Sequence, residues 1–466
     1  MRWWALSWLA ALGLASAAMA ADEDKDLELI PHTEPTAKPA LAPQPAGRSA
    51  RIYVENALTF NTLRNDLLVP APPPLAPHWE NRLLGDVRAE WSLAPGALAA
   101  YSGRLNVIAQ DGLGFPNSGN VAHDLRELYL SVEPRARDYL DLGRINVKSG
   151  VALGFNPTDF FKARAVVDPL TADPSELRED RLGTLMIRGQ HVGEGSSISL
   201  AYAPKVTNAS AIGEDPGRGF SPLFGRTNAS DRWLLKASAR LHDDFSPELL
   251  LFHENGRTKI GANLTESIGQ SAVAYVEWAG GRGLGIIDQA LAFGRQTGTI
   301  PASAPDVIDQ GGQERFRSQA AIGAAYTTEN KITFNLEYHY NGAGFSRADW
   351  DRWFAAGEGS PASSPVAQQL WFIRGYAAEF QQPLQRHAVF LRADWADFLV
   401  PKLELTGFVL ADAVDGSTLL QLETDYARTD LWSFGVLAAG TTGGRRSNFG
   451  SLPRAGSVLL KVTRDF

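Results

Sequence analysis

The chain closes on Ser457-Val458-Leu459-Leu460-Lys461-Val462-Thr463-Arg464-Asp465-Phe466. Alternate residues fall into two sets. Phe466, Arg464, Val462, Leu460 and Val458 are apolar apart from Arg464, whereas Asp465, Thr463, Lys461, Leu459 and Ser457 are polar apart from Leu459. A strand sends successive side chains to opposite faces, so this stretch predicts a β-strand with apolar surroundings on one side and water on the other. An edge strand of a soluble sandwich would alternate in the same way, and the rest of the chain has to decide between them.

The pattern recurs upstream. Arg82–Leu93 sets Leu83, Val87, Ala89, Trp91 and Leu93 against Arg82, Asp86, Arg88, Glu90 and Ser92. Ala97–Gln110, Asp124–Glu133, Tyr139–Lys148, Leu182–Val192, Ser196–Pro204, Asp231–His242 and Pro247–Asn255 follow. Ile260–Ile268, Ser271–Ala279, Arg315–Thr328, Lys331–Asn341 and His387–Phe398 continue the series. Lys402–Ala413, Thr418–Tyr426 and Leu431–Ala439 lead to the last strand, and Arg51–Phe60 precedes them all. The total is about 18 strands, with 16 to 20 compatible, each roughly 10 residues long, the length that crosses hydrocarbon when tilted. Tight turns such as Ala94-Pro95-Gly96 and Gly193-Glu194-Gly195 alternate with long loops at Asp111–His123, Ser149–Arg181, Lys205–Ser230, Gly280–Glu314, Gly342–Arg386 and Gly440–Gly456. Long insertions gathered at one end are unusual in a soluble sandwich. The expectation is an all-β, antiparallel transmembrane β-barrel over residues 51–466, with short helices in long loops that stay extracellular or fold inward.

Met1–Ala20 has a basic start at Arg2, an apolar run and a small-residue site at Ala18-Met19-Ala20. It reads as a secretory signal cleaved after Ala20. Residues 21–50, acidic and then proline-rich, read as a disordered periplasmic lead-in. Cys 0 excludes thiolate metal sites and cysteine nucleophiles, and a net charge of -8 argues against nucleic-acid partners. No later apolar run could cross a bilayer as a helix, so a membrane role requires a closed barrel.

Helix starts are expected at Asn156-Pro157-Thr158-Asp159 and Asp173-Pro174-Ser175-Glu176, and in Ser346–Ala356 and Ser364–Phe380. The aromatics of the last two either pack the loops onto the rim or lumen wall, or offer solutes a stacking surface.

The polar face of each strand lines the lumen of a wide barrel. Assigned to that face are Leu140, Leu142, Arg144, Asn146 and Lys148; Thr184, Met186, Arg188 and Gln190; and Arg232, Lys236, Ser238 and Arg240. Arg144, Lys148, Arg188, Arg232, Lys236 and Arg240 then form one basic pore-lining wall, extended by Arg315, Arg317 and Arg392, with Glu127, Glu277, Glu337, Asp394, Glu404 and Asp412 as lumen acids. Such a wall either selects anions or merely solvates the lumen and pairs internally. Ser149–Arg181, carrying Lys162, Arg164, Asp168 and Arg178, is the candidate constriction loop, with an extracellular cap as its other reading. A calcium site from Asp168, Asp173 and Glu176 matches no loop spacing. No nucleophile elbow or HExxH stands out, so neither enzymatic chemistry nor a cofactor is expected.

The terminal strand closing on Phe466 resembles the sorting signal of outer-membrane barrels, which implies recognition by the barrel-assembly machinery. Leu142-Gly143-Arg144-Ile145-Asn146-Val147, Gly154–Phe161 and Glu337–Phe345 resemble proteobacterial porin-like barrels, distantly including alginate-export-type proteins. The resemblance implies an outer-membrane channel in contact with lipid and lipopolysaccharide, passing small hydrophilic and anionic solutes. A polysaccharide-export or envelope-complex barrel that opens with a periplasmic partner is the alternative, and a homotrimer is left open.

Overall fold

The computed structural model describes residues 48–73, 76–111, 121–167, 169–213 and 220–466. The signal segment, nearly all of the lead-in and Asp168 lie outside the described residues. Eighteen strands follow one another: β1 (Arg48–Leu63), β2 (Trp79–Ala94), β3 (Ala97–Gln110), β4 (Val121–Arg135), β5 (Asp138–Ile145), β6 (Thr184–Gly193), β7 (Ser196–Ala203), β8 (Arg232–Ala239) and β9 (Glu248–Glu254), then β10 (Arg257–Ile268), β11 (Ala272–Gly283), β12 (Arg315–Thr327), β13 (Ile332–Asn341), β14 (His387–Trp395), β15 (Leu403–Asp412), β16 (Thr418–Thr429), β17 (Trp432–Thr442) and β18 (Arg454–Asp465). Each pairs antiparallel with its sequence neighbours, and β1 pairs with β18 from Tyr53↔Asp465 to Leu63↔Arg454. The ring therefore has no free edge. A lipid environment demands this, because an unpaired backbone group cannot find water there.

The C-terminal alternation sorts as its residues predict. Val458, Leu460, Val462 and Phe466 lie exposed on the outer face, while Leu459 is buried inside and Lys461 pairs with Glu423 at 2.6 Å in the lumen. Arg464, the polar exception, lies over the rings of Trp432 and Phe466 at 5.3 and 4.8 Å, near the end of the strand. The same outer belt carries Ile187, Leu200, Leu251, Ile322, Leu336, Leu391 and Leu422, all exposed. A continuous apolar exterior on a closed ring is the form that hydrocarbon solvates.

Connections 95–96, 136–137, 194–195, 240–247, 269–271, 328–331, 396–402 and 430–431 sit on the rim where β18 ends. The long ones, 146–183, 204–231, 284–314 and 342–386, sit on the other, together with 64–78 and 443–453. In bacterial outer-membrane barrels the short turns are periplasmic. Among the described residues, five helices lie in the long loops: α1 (Pro174–Glu179), α2 (Phe224–Thr227), α3 (Ile286–Gln296), α4 (Arg347–Gly357) and α5 (Pro365–Glu379). Asp173 caps α1, Ser346 and Asp349 form a reciprocal box on α4, and Ser364 caps α5.

The aromatics of α4 and α5 pack rather than line a path. Trp350, Trp353 and Phe354 meet Leu370, Ile373 and Tyr376, with Ile286, Ile287 and Leu291 of α3 and Val69 of the first loop. These residues make a small apolar core above the barrel, built from three loops. The Arg374 guanidinium is buried within it, 5.1 to 5.4 Å from the rings of Trp350, Trp353 and Trp371. It donates to Ser451 Oγ at 2.8 Å and Asn448 O at 2.8 Å, tying in the loop 443–453.

Two expectations are corrected. No helix forms at Asn156: Thr158 N and Oγ1 both donate to Glu277 at 2.8 Å and Asp159 is taken by Arg181 at 2.7 Å, so wall and loop side chains claim the groups a helix start needs. The first strand starts at Arg48, which shortens the expected lead-in by three residues.

Candidate functional site

The loop 146–183 leaves β5 and crosses the interior. Its path is set by carboxylates on the far wall. Glu277 of β11 accepts from Val151 N at 3.0 Å, Ala152 N at 3.2 Å and the two Thr158 donors. Glu337 of β13 accepts from Leu153 N at 2.6 Å and Gly154 N at 3.0 Å, and also holds Tyr275 and His339, each at 2.6 Å. Each carboxylate gathers several donors and so fixes the loop backbone against the wall. Gly154 can have no side chain here, since a Cβ would stand 2.6 Å from Phe390 and 2.7 Å from His339. Further along, Leu170 packs with Ala57, Leu437 and Leu459 across the β1–β18 seam. Thr171 and Ala172 bond Gln421 of β16, and Asp173 pairs with Arg392 of β14 at 2.5 Å. The segment thus touches the inner wall on several sides before returning to β6.

On its return, the loop meets β2, β3 and β4. Asp180 accepts from Arg88 at 3.3 Å, Arg104 at 2.5 Å and Arg126 at 2.9 Å, while Asp86 faces the same three arginines. Burial works against the Asp180 charge, but Arg104 and Arg126 outweigh it and hold the carboxyl below its ordinary range. Beside this cluster lies a polar cavity of about 220 Å³, lined by Arg88, Ser102, Arg126, Glu127, Asn146, Lys148, Glu179 and Arg181. Four cationic side chains there face two carboxylates. The short Lys148–Glu179 pair spans part of the opening, each side chain about one third exposed.

The predicted wall divides. Arg188 faces the lumen and pairs with Asp141 at 2.6 Å; Lys236 faces it and pairs with Glu248 at 2.9 Å. Lys148 lines the cavity. Arg232 also faces inward but is buried against Thr227 O and the Phe161 ring. Arg144 points outward. It is paired in register with Leu128 and Leu185, so it shares the outer face with Leu140 and Leu142. It is covered there by the segment 222–227, through Pro222 O, Thr227 Oγ1 and the Phe224 ring. Tyr139 and Asp141 occupy the inner face instead. The error was one of parity: Leu140 and Leu142 mark that set as the lipid side. Arg240 lies beyond the end of β8, exposed on the short-turn rim, and its backbone N donates to Gly195 O.

The loop cations mostly brace the fold. Arg178 donates to Ser149 O and Gly150 O at 3.1 and 2.9 Å. Arg164, at φ 59, pairs with Glu379 at 3.0 Å and donates to Ser210 O, linking three loops. Lys162 donates to Asn156 O at 2.5 Å and sits 4.4 Å from the Phe155 ring. Burial pushes its ammonium down to about 8, against the pull of Asp159 and Glu277. Asp173 caps α1 and pairs with Arg392, which commits one member of the suggested calcium trio. Sequence reasoning passed over Arg126 and singled out neither Arg104 nor Asp180 as a site residue. The inward parity of Asp86, Arg88 and Arg104 was legible in their strands, but the extra residue at Arg126, where the β3–β4 register shifts, was not.

No protein-family model and no curated protein matches the chain. Solved structures do. Pseudomonas aeruginosa OccK8 (OprE) matches with a TM-score of 0.53 at 12% identity, covering 90% of this chain and 98% of that one. P. aeruginosa OccK5 (OpdH) gives 0.52 at 10% identity with 90% and 98% coverage, and Acinetobacter baumannii OccAB4 gives 0.51 at 8% with 91% and 100%. At such identities the likeness is one of fold. It supports the porin-like part of the sequence resemblance and lends nothing to the alginate-export part. The chain is a closed, 18-stranded antiparallel β-barrel, similar in fold to these solved barrels.

Proposed function

We propose that this barrel is a passive outer-membrane channel for small hydrophilic solutes, with anions preferred, and that the loop 146–183 is its constriction. The supporting observation is the cavity between that loop and β2–β4, where Arg88, Arg126, Lys148 and Arg181 face Glu127 and Glu179. Charges lining a narrow aqueous path set the sign of the ions it favours. Arg188 and Lys236 are paired with Asp141 and Glu248, as the cavity's own cations are with Asp86, Asp159, Asp180 and Glu179, so the preference rests on which side chains reach the aqueous path and not on an unpaired excess of charge. Outer-membrane lipid and lipopolysaccharide surround the belt, the barrel-assembly machinery receives Phe466, and export uses the Met1–Ala20 signal. Planar-bilayer recording under a salt gradient tests the reading. A reproducible open conductance with an anion-preferring reversal potential is expected, and R88E/K148E should move that potential toward cations while Arg240→Glu leaves it unchanged. A barrel that conducts only when a periplasmic partner is added would support the export alternative and refute this one.

A further inference from the structure

A second basic site lies at the long-loop mouth, away from the constriction. A cavity of about 330 Å³ is lined by Arg315, Arg317, Arg352 and Arg386, with Asp309, Gln310, Gly311 and Asp349. Arg315 and Arg317 share the inner face of β12, opposite the exposed Phe316, so the cavity opens on the vestibule side of the wall. Arg352 comes from α4, and Arg386 immediately precedes β14.

The four guanidiniums are poorly compensated. Arg352 has Asp349 at 2.5 Å, but Asp349 also accepts from Ser346 and Gln310. Arg317 donates to Gly342 O at 2.9 Å, Arg386 to Gly344 O at 3.1 Å and Arg315 to Gln313 at 3.4 Å. Among the described residues none of these three has a carboxylate within ion-pair distance. Asp309 is turned to Gly311 N at 2.8 Å, and Asp288 to Gln310 N and Gly312 N behind the loop. The Arg386 Nε is buried with no partner. Four positive charges against two negative ones leave the lining two charges short of neutrality, and its donors converge from three separate elements.

We infer that this basin binds a doubly charged tetrahedral oxyanion, phosphate or a phosphoryl group, at the entrance to the channel. A single fork satisfies a planar carboxylate, whereas donors arriving from several directions match oxygens that point in several directions. A dianion restores neutrality. The role as an entry site rests on the channel reading above; binding itself does not.

The test uses the full-length barrel in detergent at pH 8 and titrates inorganic phosphate, succinate and acetate by calorimetry at fixed ionic strength. Phosphate binding at one site is expected, at least about tenfold tighter than succinate or acetate. R317Q/R386Q should weaken phosphate about tenfold or more, and Arg315→Gln, whose side chain donates to Gln313, should weaken it severalfold with heat-modifiable mobility retained. Equal binding of the three anions, no phosphate binding, or phosphate binding unchanged in Arg315→Gln would each overturn the proposal. Bilayer conductance on the same samples separates the outcomes, since an open channel without phosphate binding sinks this inference alone.

Discussion

Replacing Glu277 by Ala removes one carboxylate from the wall: Val151 N, Ala152 N and Thr158 N lose their acceptor, while Thr158 Oγ1 keeps Asn263 Oδ1 and Asn156 Nδ2 keeps Ala152 O. A hydrogen bond to a charged group contributes about 1.5–3 kcal/mol. The lumen is wet, so water replaces part of the loss, and the net cost is on the order of 3–6 kcal/mol for the segment 151–158. That raises the released population of this segment by roughly 10²–10⁴-fold. Glu337 and the Arg392–Asp173 pair still hold its neighbours, so release is local in E277A and wider in E277A/E337A. Single-channel recording should show larger and noisier openings, and added protease should cut within 151–160, with the barrel still running as a heat-modifiable species. Unchanged conductance and unchanged protease resistance in the double variant would refute the claim that wall carboxylates hold the loop across the lumen.

Three further outcomes are expected. Asp180→Asn takes a negative charge from between Arg88, Arg104 and Arg126 and should raise anion over cation permeability about twofold, read from the reversal potential. Arg374→Ala leaves Ser451 and Asn448 without their donor and a gap among three tryptophans. It should destabilise the helical cap by about 2–4 kcal/mol, seen as faster proteolysis of the external loops while the barrel persists. Lys162 titrates near 8 when folded and near 10.5 when unfolded, so the unfolded loop binds more protons between those values and stability rises with pH across that window. Lys162→Met should protect the loop from hydrogen exchange more than the parent does at pH 7, with the advantage shrinking from pH 8 toward pH 10.

The barrel was legible because each strand carries its own instruction. The alternation in Ser457–Phe466 needs no distant partner to be read, and tight turns such as Gly193-Glu194-Gly195 punctuate it. Faces were harder wherever a strand is polar on both sides or ends in a charge. In Asp138–Ile145 the outward Arg144 looked like lumen lining, because the Pro222 carbonyl and the Thr227 hydroxyl that accept from it come from the distant segment 222–227. The inward course of the loop 146–183 depends on Glu277 and Glu337, more than a hundred residues away in sequence. Two stretches quoted for their resemblance, 154–161 and 337–345, touch each other there: Gly154 bonds Glu337, and Phe155 meets His339 at 5.9 Å. Helix α3 was missed inside a long loop, although Ile286, Ile287, Ala290 and Leu291 lie at helical spacing; its apolar face is meaningful only against Trp353 and Leu370.

The crossing segment has a bearing on assembly. Leu170 lodges against Ala57 on the first strand and Leu437 and Leu459 on the last two, so its seat does not exist until both ends of the polypeptide have met. A chain whose interior brace spans the final joint cannot finish the brace first and zip the cylinder around it. Internal ordering and circular closure become one event, and a defect in either should surface as a failure of the other.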